Sequence, residues 1–142
     1  MHYCVVFFTR TNTSKRVAEK LAENLKCPIV QITDHKNWSG LFGYIKAGFY
    51  STVKKSVPIE LLGECVEPDE YIVVTPLWAG GLAPAGLAFL NTVPREKVHL
   101  VVCSLGSVVE DRQGFKSVSD VIANAKNEES AVNGLIQQLS AS

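Results

Sequence analysis

Residues 3–18 read YCVVFFTRTNTSKRVA, and this stretch decides the fold. Its first part, Tyr3–Phe8, is a continuous apolar, β-branched and aromatic run, typical of a strand that a parallel sheet covers on both faces. The polar turn Thr9–Ser14 follows it. Apolar residues then recur at helical spacing, at Val17, Ala18, Leu21, Ala22 and Leu25. The stretch therefore predicts a buried strand, a hydroxyl-rich turn and an amphipathic helix.

The rest of the chain repeats this alternation of strand and helix. Further strands are predicted at Ile29–Ile32, Tyr71–Thr75, Val98–Cys103 and, more weakly and at an edge, Val118–Ala123. Further helices are predicted after Pro84 and after a cap at Asn127, with Glu128 and Glu129 in the first turn of the last one. The order predicts an α/β fold: a doubly wound, five-stranded parallel sheet in three α/β/α layers, forming one domain over residues 1–142.

Residues 35–59 differ from the rest of the chain. They contain four lysines and no acidic residue, and they hold five of the twelve aromatic residues. Leu41, Ile45, Phe49 and Val53 would line one face of a helix, so the stretch is interpreted first as a core-packing amphipathic helix. A lid or docking face beside a ligand is the alternative interpretation.

Composition excludes several classes of function. The 14 basic and 14 acidic side chains cancel, which provides no field for binding nucleic acid or an anionic membrane. No apolar run reaches the length of a membrane span, and no signal-like segment precedes the first strand, so we expect a cytoplasmic protein. The cysteines form no C-x-x-C pair, which argues against a metal site. His2 and His99 are interpreted as structural residues, and His35 is only a weak candidate for chemistry.

A ligand site is expected beyond the carboxyl ends of the strands, where three loops leave a parallel sheet of this kind. The first loop is rich in hydroxyls and opens a helix, and this combination favours a phosphate group. Its candidate residues are Thr9, Arg10, Thr11, Asn12, Thr13 and Ser14. The alternative is that Thr13 or Ser14 only caps the helix.

The second and third loops suit a flat aromatic ligand. Trp78 lies in a glycine-flanked loop, where an indole is well placed to stack on a ring. The third loop is small and polar, so its amides would approach a ring edge. The candidate residues are Pro76, Leu77, Trp78, Ala79 and Gly80 in the second loop, and Ser104, Leu105 and Gly106 in the third. The sequence places no catalytic acid or base.

These residues resemble those of flavodoxins. The phosphate loop of that family reads Ser/Thr-x-Thr-Gly-Asn-Thr-x-x-Val-Ala, and residues 9–18 match it in length and register. Asn12 stands where the family has glycine, and we expect it to adopt the left-handed backbone that the turn needs. The run Tyr71–Gly80 is similar to the strand and loop that place an aromatic side chain on the flavin. The third loop lacks the second stacking aromatic, for which Phe115 is the first candidate along the chain.

The resemblance implies bound FMN and a redox function. It does not distinguish an FMN-dependent reductase of a small acceptor from an electron carrier that serves a redox partner protein. The neutral composition departs from the acidic surface that flavodoxin carriers use for docking, and so it favours a reductase or a different partner. A ligand-binding or regulatory protein on the same fold, without flavin turnover, remains the alternative. The sequence does not indicate an oligomeric state.

Three other functions on related sequence patterns are rejected. Cys4 and Arg10 have the C-x5-R spacing of cysteine-dependent phosphatases, but the residues between them belong to the first strand. Thr75 stands where a response-regulator receiver needs its phosphoacceptor aspartate. The first loop also lacks the glycines of a dinucleotide-binding fingerprint.

We expect Trp78→Ala to weaken FMN binding by about 1–3 kcal/mol, because the ring would lose its stacking partner. The flavin reduction potential should shift at the same time. Fluorescence titration and a redox titration measure the two effects. An unchanged affinity would remove Trp78 from the site.

Overall fold

The computed structural model describes residues 2–9, 12–33, 60–63, 68–78, 81–110 and 112–140, and the basic, aromatic stretch 35–59 lies outside these residues. The elements in chain order are β1 (Tyr3–Phe7), α1 (Thr13–Leu25), β2 (Ile29–Thr33), β3 (Glu60–Leu62), β4 (Glu70–Trp78), β5 (Gly81–Leu82), α2 (Pro84–Leu90), β6 (Val98–Ser104), β7 (Ser117–Ile122) and α3 (Glu128–Ser140). Within these ranges, no helix has both the length and the apolar character that a membrane crossing demands.

Five parallel strands form the body of the sheet, in the order β2-β1-β4-β6-β7. This confirms the predicted doubly wound parallel sheet. Two short strands were not predicted: β3 pairs antiparallel with β2, and β5 folds back antiparallel on the end of β4. The described sheet therefore has seven strands, and its order reverses between β1 and β4.

The two faces of the sheet are covered by different helices. All five residues of β1 are buried, and its side chains alternate between the faces. Tyr3, Val5 and Phe7 pack in one cluster with α1 and α3. Cys4 and Val6 pack in the other cluster, with α2. This arrangement confirms the three layers, and it explains why β1 reads as a continuous apolar run.

A close contact between α2 and β4 positions the second loop. A Cβ added at Gly86 in α2 would lie 2.2 Å from Oγ1 of Thr75, which is fully buried in β4. Only glycine allows the helix to approach the strand this closely. Ala83, just before α2, donates its N–H to the carbonyl of Pro76 over 3.0 Å. The chain therefore turns back directly after β4 and stays next to the end of that strand.

The last helix begins at Glu128, as the sequence predicts, but Asn127 does not use its side chain as a helix cap. Its Oδ1 accepts the N–H of Ile122 over 2.6 Å, and its Nδ2 donates to the carbonyl of Asp120 over 2.9 Å. Its backbone carbonyl accepts the N–H of Ala131. Asn127 therefore ties the start of α3 to the end of β7.

A buried polar network closes the opposite, amino edge of the sheet. His99 is buried, with Nε2 at 2.8 Å from Oε1 of Glu70 and Nδ1 at 2.7 Å from Oγ of Ser117. Lys116 pairs with the other oxygen of Glu70. These contacts fit the structural role expected for His99. Burial alone would raise the pKa of Glu70, but hydrogen bonds and charges from Lys116 and His99 hold that pKa below its ordinary value.

We expect the unfolding free energy to fall as the pH drops from about 5 to about 3, in part through Glu70. The native pKa of Glu70 is lowered, so its contribution is complete above the unfolded pKa and is lost as the pH falls through the native one. Glu70→Gln should lower the unfolding free energy by about 2–4 kcal/mol at pH 7, because His99 and Lys116 lose their carboxylate partner. The variant should also lose less stability than the native chain as the pH falls.

Urea unfolding measured at several pH values checks this expectation. The exposed carboxylate Glu23 of α1 provides the matched control, and Glu23→Gln should lose as much stability at low pH as the native chain does. A loss of stability at low pH that is as large in Glu70→Gln as in the native chain would contradict the contribution assigned to Glu70.

Candidate functional site

A cavity of about 640 Å³ opens at the carboxyl ends of β4, β6 and β7, between the N-termini of α1 and α3. It lies at the edge of the sheet where the sequence places a ligand site. Its walls are formed by Thr13, Ser14, Arg16, Pro76, Leu77, Cys103, Ser104, Leu105, Val121, Ile122, Ala123, Lys126, Glu128 and Glu129.

The cavity brings together residues from all three predicted loops. The predicted residues on its walls are Thr13, Ser14, Pro76, Leu77, Ser104 and Leu105. Thr9, Asn12 and Gly106 are described in the same loops but do not line the cavity. Arg10, Thr11, Ala79 and Gly80 lie outside the described residues, as does the side chain of Trp78, whose backbone ends β4.

The first loop enters α1 through a left-handed residue. Asn12 has φ 68° and ψ −7°, which confirms the backbone expected for it at the position where flavodoxins have glycine. Its side chain makes no capping hydrogen bond to α1. The first N–H groups of a helix have no partner within the helix. The N-terminus of α1 is thus left open to an external acceptor.

Thr9 carries an unpaired polar atom beside this helix start. Within the described part of the chain, its Oγ1 is buried and has no hydrogen-bond partner. Leaving a buried hydroxyl unpaired costs about 1–3 kcal/mol. An anionic oxygen in the loop would accept a hydrogen bond from this hydroxyl. The loop therefore fits a phosphate group by an observation independent of its sequence motif.

Ser14 is buried at the start of α1, next to the Cys103 thiol at the end of β6. Burial raises the pKa of the Cys103 thiol to about 11, against the opposing effect of the nearby Ser14 side chain. Cys103 therefore stays a neutral thiol at physiological pH and is not a nucleophile.

Hydrogen bonds within the third loop and from Asn124 hold that loop in place. Oγ of Ser104 donates to the carbonyl of Ser107 over 2.5 Å and accepts the N–H of Ser107 over 3.2 Å. The N–H of Asn124 donates to the carbonyl of Leu105 over 2.8 Å. This arrangement leaves the Leu105 side chain 75% exposed on the cavity wall. A large apolar side chain thus faces the space where a ligand would lie.

Phe115 does not supply a second stacking ring. It lies just before β7, at the amino edge of the sheet, whereas the cavity is at the carboxyl edge. The guanidinium carbon of Arg95 lies 4.5 Å from the centre of the Phe115 ring. The hypothesis of Phe115 as a ring-covering residue is therefore wrong, because β7 separates it from the site.

The charged part of the cavity wall was missed by the sequence analysis. Arg16 and Glu128 form a two-pronged ion pair, with Nε to Oε2 at 2.9 Å and Nη2 to Oε1 at 2.6 Å. Hydrogen bonding and charge from Arg16 hold the pKa of Glu128 below its ordinary value. Both residues lie in the first turns of helices that start at the carboxyl edge, and that topology is the signal that would have found them.

Comparison with solved structures finds the same architecture in proteins described as flavoproteins. A protein from Bacteroides eggerthii DSM 20697, assigned as a flavoprotein, aligns with a TM-score of 0.60 at 16% identity over 98% of each chain. A flavoprotein from Lactobacillus acidophilus NCFM, solved in complex with FMN, aligns with a TM-score of 0.51 at 14% identity over 92% of this chain and 97% of that one.

An NADH:FMN oxidoreductase in its apo form aligns with a TM-score of 0.55 at 14% identity over 97% of this chain and 90% of that one. No protein-family model matches the sequence, and neither does any curated protein. Similarity at this level of identity shows a common fold, which is flavodoxin-like.

We expect Asn12→Ala to destabilise the protein by about 1–2 kcal/mol, because alanine resists the positive φ that Asn12 adopts. Asn12→Gly should be neutral or slightly stabilising for the same reason. Urea unfolding gives both values. Asn133→Ala, at an exposed position of α3, is the control for loss of an asparagine. Equal stability of Asn12→Ala and Asn12→Gly would show that the turn does not depend on this conformation.

Proposed function

We propose that this protein binds FMN at the carboxyl edge of its sheet and uses it in redox chemistry. The unpaired, buried hydroxyl of Thr9 beside the open N-terminus of α1 is the observation that carries the proposal. It lies in the loop whose sequence resembles the flavodoxin phosphate loop. Structures with the same fold, one of them solved in complex with FMN, support the choice of ligand.

The phosphate group would be held by the first loop without a lysine. The Thr9 hydroxyl and the first N–H groups of α1 would donate to it, and the positive end of the helix dipole adds to its stability. Arg10 and Thr11 complete the predicted cradle, together with Asn12, Thr13 and Ser14. Because the Ser14 side chain is buried, we assign Ser14 a backbone contribution.

The ring would lie between the second and third loops. Trp78 is the proposed stacking residue, with Pro76, Leu77, Ala79 and Gly80 around it. Ser104, Leu105 and Gly106 would border the ring on the other side. Leu105 supports this placement, because its exposed side chain would gain burial against an apolar ligand.

The bound cofactor would supply one- or two-electron redox chemistry. The chain itself would bind and orient the cofactor and limit the access of water to it. The balanced charge of the protein favours a small-molecule acceptor over a basic docking partner. We therefore propose an FMN-dependent reductase rather than an electron shuttle.

Thr9→Val tests the binding site with two effects of opposite sign. In the ligand-free protein the change removes an unpaired buried hydroxyl, so the unfolding free energy should stay the same or rise by about 1 kcal/mol. FMN affinity should fall about tenfold, since a hydrogen bond to a charged group is lost. Fluorescence titration of the deflavinated protein measures affinity, and urea unfolding measures stability.

Riboflavin is the matched control ligand, because it lacks the phosphate and its affinity should not change in Thr9→Val. The proposal would be refuted if FMN neither raises the thermal stability of the native chain nor gives it the absorbance of a bound flavin. That result would favour a binding protein of another kind. Anaerobic reduction of the FMN-loaded protein by NADH or NADPH then tests the reductase. Rapid reduction supports it, whereas reduction only by another redox protein supports a carrier.

A further inference from the structure

The cavity wall carries charges that the proposed phosphate contacts do not use. Its basic residues are Arg16 and Lys126, and its acidic residues are Glu128 and Glu129. These formal charges cancel. A dianionic phosphate group entering such a cavity meets two carboxylates, so the disposition of the two cations decides whether it is attracted or repelled.

Of the two cations on the cavity wall, Arg16 is the one closer in sequence to the proposed phosphate loop. It follows Thr13 by three positions in α1, and residues at this spacing lie on one face of a helix. Both side chains line the cavity. Arg16 therefore faces the same space as the first turn of α1, where the phosphate group would bind.

Glu128 holds the guanidinium of Arg16 at this position. The pair is two-pronged, a geometry that fixes orientation as well as distance. The side chain of Arg16 is 61% exposed and that of Glu128 36% exposed. An ion pair this exposed contributes little to the unfolding free energy, about 0–1 kcal/mol. Stabilisation of the fold is therefore a weak explanation for two charged side chains on the cavity wall.

We propose that Arg16 determines specificity for a phosphorylated ligand over its dephosphorylated form, with Glu128 as its positioning residue. The inference rests on the proposed function and adds Arg16, from the first turn of α1, to the phosphate site proposed for the loop 9–14. Arg16 attracts the dianion, while Glu128 directs the guanidinium and offsets its charge. Hydrogen bonding and charge from Arg16 lower the pKa of Glu128, which further favours its ionised form.

A purely structural role predicts something different. An ion pair that only joined α1 to α3 would affect the affinities for FMN and riboflavin equally, through stability. A role in recognition changes the ratio of the two affinities. That ratio is therefore the decisive quantity, and thermal unfolding of each ligand-free variant is measured beside it.

The experiment is a titration of the deflavinated protein with FMN and with riboflavin at pH 7.5 and low ionic strength. Arg16→Gln should weaken FMN binding about five- to tenfold, because one cation is lost near a dianion, and should leave riboflavin unchanged within about twofold. Arg16→Lys keeps the positive charge but loses the planar, two-pronged guanidinium, and it should retain most of the preference for FMN over riboflavin. Glu128→Gln should lower the ratio of FMN affinity to riboflavin affinity about twofold, because the guanidinium of Arg16 loses the two-pronged contact that directs it.

Arg112→Gln is the matched control. Arg112 is paired with Asp120 over 2.7 Å and does not line the cavity, so the variant loses the same charge elsewhere on the protein. Its ratio of affinities should equal that of the native chain. High salt should reduce the effect of Arg16→Gln.

Equal changes in the FMN and riboflavin affinities of Arg16→Gln, or no change in either, would overturn this inference and leave FMN binding intact. A ratio that falls as far in Arg112→Gln as in Arg16→Gln would also overturn it. Failure of the native chain to bind FMN would overturn the proposed function, and this inference with it.

Discussion

The pairing of β1 with a neighbour on each side is the constraint on which the rest of the structure depends. All five residues of β1 are buried, so its backbone groups must find partners in β2 and β4. Because these pairs are parallel, β1 and β4 end at the same edge of the sheet. The strand order reverses between them, and the two chains leaving that edge diverge. The divergence creates the crevice in which a ligand fits.

The two edges of the sheet satisfy their polar groups in opposite ways. At the amino edge, Glu70 has partners in His99 and Lys116, and His99 also contacts Ser117, which makes that end a closed network. At the carboxyl edge, the Thr9 hydroxyl is buried and has no partner among the described residues, and the Asn12 side chain makes no capping hydrogen bond to α1. A polar atom left unpaired in this way costs stability unless a ligand binds it. The contrast supports our proposal that a ligand binds at the carboxyl edge.

Charge on the cavity wall is arranged locally, and the neutral composition of the chain conceals this. Arg16 and Glu128 come from different helices and meet at the rim of the cavity. In such a site the position of each charge matters more than the sum, because a charge acts most strongly on what lies near it. The absence of a net field is thus compatible with recognition of an anionic ligand.

Local sequence determined the five parallel strands, the helices α1 and α3, the left-handed turn at Asn12 and the edge that carries the site. Apolar periodicity and the conformational tolerance of single residues depend on near neighbours, so a sequence alone displays them. The short strands β3 and β5 show no such pattern, because their two or three residues are too few for a period and only their partners make them strands.

Tertiary structure alone decided the contacts between distant residues. Arg16 and Glu128 lie 112 positions apart, and only the packing of α1 against α3 brings them together. The direction of β7 carries Phe115 to the far edge of the sheet. A side chain's partner depends on where the whole sheet places it, and this information is distributed over the fold rather than written in any one segment.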